Sequence, residues 1–184
     1  TALGYQAGTA ITTGGSNVAV GSLALDANTT ASFNTAVGLA SLSANVTGAE
    51  NTAVGYKSLE DNTASNNTAV GSLALRNQTS GGSNTAVGQN ALASSTTATN
   101  NTMLGMQAGY TTTTGSNNVA IGKSALYYNT TGETIVAIGN SALLNNTTGT
   151  NNVGVGYEAL KANNTGGQNV GVGHQALFKN TSAT

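Results

Sequence analysis

The apolar positions of this chain recur with a period much longer than a helical or strand period. An aliphatic residue stands at Leu3, Val20, Val37, Val54, Val70, Val87, Leu104, Ile121, Ile138, Val155 and Val172, and each is followed directly by Gly. The step is 17 residues, shortened once to 16 between Gly55 and Gly71. Five residues after the aliphatic position a leucine recurs in nine of the eleven copies, and Gly8 and Gly109 replace it in the other two. Almost everything between is Asn, Thr, Ser, Gly or Ala. A fixed short period of this kind predicts a solenoid, in which each copy is one coil that buries its apolar positions only by stacking on its neighbours.

One coil reads N-T-A-V-G-x-x-A-L-x-x-N-T-T-G-x-N, numbered 1 to 17 from the first Asn. Positions 1 to 5 predict a strand, rich in Val, Thr and Ile and ended by Gly. Alternation puts positions 2 and 4 on one face and the small residues of positions 3 and 5 on the other. The aliphatic row at position 4 and the leucine row at position 9 are expected to form the core. Each coil then supplies about two large apolar side chains worth roughly 1.5–3 kcal/mol each, too little to order 17 residues alone, so stability must be collective. Positions 6 to 10 are expected to be a second short strand or tight arc, with Tyr5 or Tyr110 folding over the gap where Gly replaces Leu. Positions 11 to 17 form the return loop, whose Gly at position 15 suits a bend with positive φ, and the one deletion is placed between Ser65 and Asn66. Asn recurs at position 1 (Asn17, Asn34, Asn51, Asn67, Asn84, Asn101, Asn118, Asn152, Asn169), where stacked carboxamides can bond coil to coil as a ladder that Ile135 interrupts. The fold class is all-β: a parallel β-solenoid of eleven coils, about 50 Å long at the strand spacing.

Composition changes the picture by exclusion. Charged residues are 6% of the chain and aromatics 4%, with no Pro, Cys or Trp, so the surface must be a neutral polar coat. A disordered polar tract would not keep an aliphatic residue at one place in every coil. The net charge of −1 and the scatter of Arg76, Lys57, Lys123, Lys161 and Lys179 speak against nucleic acid. No apolar run has membrane-spanning length. The chain is read as a single array over residues 1–184, uncapped at both ends and cut from a longer fibrous protein.

The N-T-A-V-G core at 34–38 and N-V-A-I-G at 118–122, each followed two residues on by Ala or Ser, resemble the head repeats of trimeric autotransporter adhesins and similar arrays in phage tail fibres and other surface fibres. The resemblance implies a left-handed parallel β-roll, three chains side by side, an extracellular, cell-surface or virion location, and a role in attachment. The coil here is longer than the usual adhesin repeat, and no stalk, neck or anchor accompanies it.

Catalytic chemistry is not written into the coil. Segments 154–159 and 171–176 fit G-x-G-x-x-A only as copies of the coil core, without a βαβ unit around them, and no cofactor is expected. His174 reads as a solvated side chain, and the acids occupy different coil positions, so no metal cage repeats. Two binding expectations remain. Asn28, Asn45, Asn129, Asn146, Asn163 and Asn180 sit at position 12 with Ser or Thr two places later, as in a glycosylation sequon; a turn-forming Asn is the plainer reading. Tyr110, Tyr127, Tyr128 and Phe178 are candidates for stacking on sugar rings. The function expected is a stiff structural and adhesive rod that self-associates as a homotrimer. The alternatives are a module that binds a host-surface glycan or receptor, and a monomeric solenoid that polymerises end to end into a filament. Ice binding by the Thr row at position 2 is disfavoured because the row turns to Val at Val119.

Overall fold

The computed structural model describes residues 1–182 as an eleven-stranded parallel sheet whose strands follow chain order. The strands are short: β1 is Ala2–Leu3, and β2 to β11 are the triplets Val18–Val20, Thr35–Val37, Thr52–Val54, Thr68–Val70, Thr85–Val87, Thr102–Leu104, Val119–Ile121, Val136–Ile138, Val153–Val155 and Val170–Val172. Each pairs in register with the next, so Ala36 lies on Ala53 and Val37 on Val54. The chain is a parallel β-solenoid, and like residues stack on like along its axis. Strands occupy positions 2 to 4 of the coil. Positions 6 to 11 are turns throughout, an arc rather than a second strand.

The inward face of the sheet differs from the expected one. Ala19, Ala36, Ala53, Ala69, Ala86, Met103, Ala120 and Ala137, all at position 3, are buried, whereas Val70 is 36% and Leu104 45% exposed. The core is therefore the position 3 row packed against the position 8 alanines and the leucine row Leu25, Leu42, Leu59, Leu75, Leu92, Leu126, Leu143 and Leu160. The aliphatic row at position 4 points outward. The reason is volume: a Cβ on Gly154 would sit 3.1 Å from Leu143 Cγ and Cδ1, so the interior opposite the leucine row leaves room for about one methyl group.

The arc depends on left-handed backbone at non-glycine residues. Position 7 (Ala40, φ 52; Lys57, φ 52), position 9 (Leu42, φ 53; Leu92, φ 52) and position 17 (Phe33, φ 63; Glu50, φ 60) all lie in that region. An isolated L-residue there costs about 1–2 kcal/mol, so the conformation persists because neighbouring coils impose it. Leu42 N donates to Ser58 O at 2.9 Å and Leu92 N to Ala108 O at 2.9 Å, one coil on in each case.

That geometry explains the two glycines in the leucine row. Gly8 (φ 58) and Gly109 (φ 62) adopt the left-handed conformation without strain, and the missing volume is supplied from elsewhere. A Cβ on Gly109 would meet Met103 Sδ at 2.8 Å, and one on Gly8 would meet Ile11 Cδ1 at 3.0 Å. Met103 replaces the usual Ala of position 3, and Ile11 the usual Asn of position 12. Neither tyrosine covers its gap: Tyr5 is 72% exposed, and Tyr110 stacks on Tyr127.

Position 15 also differs from expectation. Gly48, Gly81, Gly115, Gly132 and Gly149 do not have positive φ. A Cβ on these glycines would collide with the position 15 carbonyl of the next coil, as Gly48 with Ala64 O, so the constraint on them is close approach rather than conformation. Ala31, Ala64 and Ala98 are the largest residues at this position among the described residues. The deletion falls between Thr63 and Ala64, two residues earlier than expected. Ala64 O takes the position 15 role by accepting from Asn51 Nδ2 and Asn62 Nδ2 at 2.8 Å. The missing residue is the exposed position 14, whose loss leaves the interior unchanged.

Candidate functional site

Two columns of amides run along the stacked coils. At position 1 the side chain of Asn34 donates from Nδ2 to Gly48 O at 2.9 Å within its own coil, and its Oδ1 accepts the backbone N–H of Asn51 at 2.9 Å. Asn17, Asn51, Asn67, Asn84, Asn101 and Asn118 repeat the Oδ1 bond, and Asn152 makes it to Asn169. The expected ladder is present, and its regular rung runs from carboxamide to backbone. Ile135 N donates to Asn118 Oδ1 at 3.0 Å, and an isoleucine has no oxygen to offer the coil above.

Two position 1 pairs add a bond of carboxamide on carboxamide, Asn84 to Asn67 and Asn169 to Asn152, each at 3.2 Å, and a second such ladder stands at position 12. Asn45 Nδ2 donates to Asn28 Oδ1 at 3.3 Å, Asn146 to Asn129 at 3.1 Å and Asn163 to Asn146 at 3.0 Å. The same nitrogens also bond Gly48 O, Gly149 O and Gly166 O. Asn28, Asn45, Asn129, Asn146 and Asn163 are fully buried, and Asn180 Nδ2 donates to Asn169 Oδ1 at 3.1 Å. In the folded coil the five buried asparagines are interior donors, closed to a glycan, whereas Asn180 in the last coil is only half-buried. Gln78, Ser95 and Thr112 occupy this column in the middle of the rod, and Ser95 Oγ and Thr112 Oγ1 are buried without a partner. Recurrence of Asn in seven of the eleven coils, three residues before a small residue, was the available sign of this second column.

The outward face of the sheet carries the positions 2 and 4 rows side by side. It contains no charged residue. From β3 to β7 it alternates Thr with Val or Leu, and from β8 to β11 it is wholly aliphatic. Most of these side chains are half-buried by their stacked neighbours alone, and Val18, Val70, Leu104, Val170 and Val172 are exposed. A flat parallel sheet with an uncharged, partly apolar outer face is what parallel sheets ordinarily cover.

The charged residues cluster on the arc. Glu60 bridges Lys57 at 2.8 Å and Arg76 at 2.9 Å; Glu158 pairs with Lys161 at 2.6 Å and accepts from Gln175 at 2.9 Å. Burial alone would raise the Glu60 pKa, but the hydrogen bonds from Lys57 and Arg76 outweigh it and hold the carboxyl below its usual value. A depressed folded pKa means that this contribution is present above the unfolded carboxylate value of about 4.3 and is lost as pH falls through the folded one. Melting temperature should therefore decline below about pH 4, and Glu60→Gln should flatten that decline by an amount within the ~1 kcal/mol typical of exposed pairs. An unchanged acid profile in Glu60→Gln would show that the pair contributes nothing.

The four candidate sugar-stacking residues do not form one site. Tyr110 and Tyr127 stack on each other with ring centroids 5.2 Å apart, and Tyr128 meets Tyr127 edge-on at 4.6 Å. Phe178 lies three coils further along, its ring under the Lys161 ammonium at 5.6 Å. His174 is exposed and stacks on Tyr157 at 5.2 Å. Among the described residues no three His, Cys, Asp or Glu side chains gather as a metal site, and no helix is long and apolar enough to cross a membrane. No family model, curated protein or solved structure matches this chain.

Proposed function

We propose that this solenoid is a structural and adhesive fibre segment of an extracellular or virion-surface protein, a stiff rod whose copies associate side by side through the outward sheet face. The observation that carries the reading is that face: two unbroken rows, charge-free, apolar or Thr at every strand from β2 to β11. The polar loops and the charged residues lie elsewhere on the coil. Ten strand spacings of about 4.8 Å by about 10 Å of strand give roughly 500 Å², so two such faces bury about 1,000 Å² between them. That is the lower limit for a specific association, and a third copy closes a core that two leave open on one side. Attachment belongs to the same reading, because a rod with a neutral polar coat holds a binding element at a distance from its anchor.

The test is the mass of the protein by analytical ultracentrifugation over a range of concentrations. A fixed mass of three chains is expected. Val87→Lys with Ile121→Lys, which places charges in the middle of the face without touching the core, should return a folded monomer. A wild-type monomer at every concentration would end the proposal, and a mass that grows without limit would point to end-to-end stacking instead.

A further inference from the structure

We infer that the groove beside Tyr128 is a binding site for a short, neutral, linear oligosaccharide lying along the rod. The groove is an open depression of about 600 Å³ on the loop side of the solenoid, away from the sheet face. One wall is the position 11 column, Tyr128, Asn145 and Ala162, and the other is the position 13 column, with Thr130, Thr147 and Asn164. The position 12 asparagines between them turn inward to their ladder, so the surface dips there. In most coils this dip has only small residues on both sides. Tyr128, 50% exposed, builds it into a walled site.

The lining selects the ligand class. Thr130 Oγ1 gives its proton to Thr147 O at 3.0 Å, and Thr147 Oγ1 gives its own to Asn164 O and Asn164 Oδ1. These hydroxyls are left with lone pairs only, and act as acceptors. Asn164, whose Oδ1 is thereby engaged, retains its two amide protons, and the Asn145 carboxamide is exposed. Tyr128 supplies a ring face held by its edge contact with Tyr127, which is itself fixed by stacking on Tyr110. A ring platform, Ala162 and threonine methyls for C–H faces, fixed acceptors and free amide donors match a polyol ring, apolar on its faces and hydrogen-bonding at its rim. No charged side chain lines the groove, so nothing there compensates a charged ligand. Its walls run across successive coils at about 4.8 Å per step, which suits a linear chain better than a single ring.

The experiment titrates the 184-residue protein with cellohexaose, chitohexaose, maltohexaose and xylohexaose, and with sulfated heparin fragments, following tyrosine emission and amide chemical shifts. With no Trp in the chain, the emission reports the tyrosines directly. Saturable binding of at least one neutral oligosaccharide is expected, with shifts at 128–131 and 145–147. Tyr128→Ala should weaken it about tenfold or more, Tyr128→Phe should retain most of it, and Tyr5→Ala, a remote exposed tyrosine, should change nothing. No saturation by any neutral sugar, binding unaltered in Tyr128→Ala, or preference for the sulfated fragments would each overturn the inference. The readout is independent of mass in the ultracentrifuge, so failure here leaves side-by-side association standing, and the converse.

Discussion

Met103→Ala is expected to destabilise the rod by about 2–5 kcal/mol, the range for emptying a buried methionine site, and Gly109→Leu to destabilise it by about 1–3 kcal/mol through overpacking. The double variant should return close to the wild-type melting temperature. The two residues share one space: a Cβ on Gly109 would stand 2.8 Å from Met103 Sδ and 2.9 Å from Met103 Cε, so leucine cannot enter while methionine is present. With Ala at 103 the coil regains the Ala and Leu pairing of its neighbours. Leu92 and Leu126, directly below and above, show that a leucine accepts this backbone at φ 52 and 55, against 62 for Gly109. A thermodynamic cycle over the four proteins, by denaturant melts or calorimetry, measures a coupling of opposite sign to the single effects. Additive losses in the double variant would mean that the two positions are not one packing unit.

The same pair shows where sequence reasoning stopped. The period, the strand at each aliphatic-Gly pair, the parallel register and the position 1 Asn column were all legible, because stacking forces like onto like and the repeat records it. Parity of the strand was not. Hydrophobicity marks Val37 and Val54 as core, yet the interior has room for Ala36 and Ala53, and the larger residues are expelled to the outer face. Volume, not polarity, decided that face, and the volume is set by the opposing leucine row, which no single strand contains. Compensation between Met103 and Gly109 was equally invisible as a pair, because they are substitutions at positions 3 and 9 that look independent until the coil is closed.

The candidate site was legible in residue type and not in place. Tyr128 could be singled out as aromatic, but its being the one tyrosine of the stacked group to wall a groove depends on the buried Asn129 and Asn146 drawing the surface inward beside it. Those asparagines read as turn-forming loop residues, with modification as the alternative. Their second, interior role follows from the position 15 carbonyl that each bonds three residues on in its own coil, and a side chain on Gly132 would press on both Asn129 Oδ1 and the carbonyl of Gly149 in the next coil. The small residue at position 15 thus leaves room for the inward-turned asparagine beside it.

Gly88→Ala is expected to be among the most damaging single methyl additions to this protein. Gly88 has φ 132, a conformation open to glycine alone, and an added Cβ would lie 2.6 Å from both the carbonyl carbon and oxygen of Gly105 in the next coil. Neither atom can yield, because Gly105 N donates to Val87 O at 2.8 Å and Gly88 N to Val70 O at 2.8 Å, which ties three coils at the sheet spacing. Strain of about 1–3 kcal/mol at the residue adds to the loss of those inter-coil bonds, so more than about 4 kcal/mol in total is expected, an effect seen only where a special backbone or a core is broken. In a linear array the damage should also be local in kind. Amide exchange should accelerate at 88–105 on either side of the broken joint, while the outer coils keep their protection, because each coil is stabilised by its immediate neighbours. The comparison is Ala93→Gly, a glycine change on the arc of the same coil, expected to cost no more than about 1 kcal/mol. Equal effects of the two substitutions would mean that the position 5 glycine is not what sets the coil spacing.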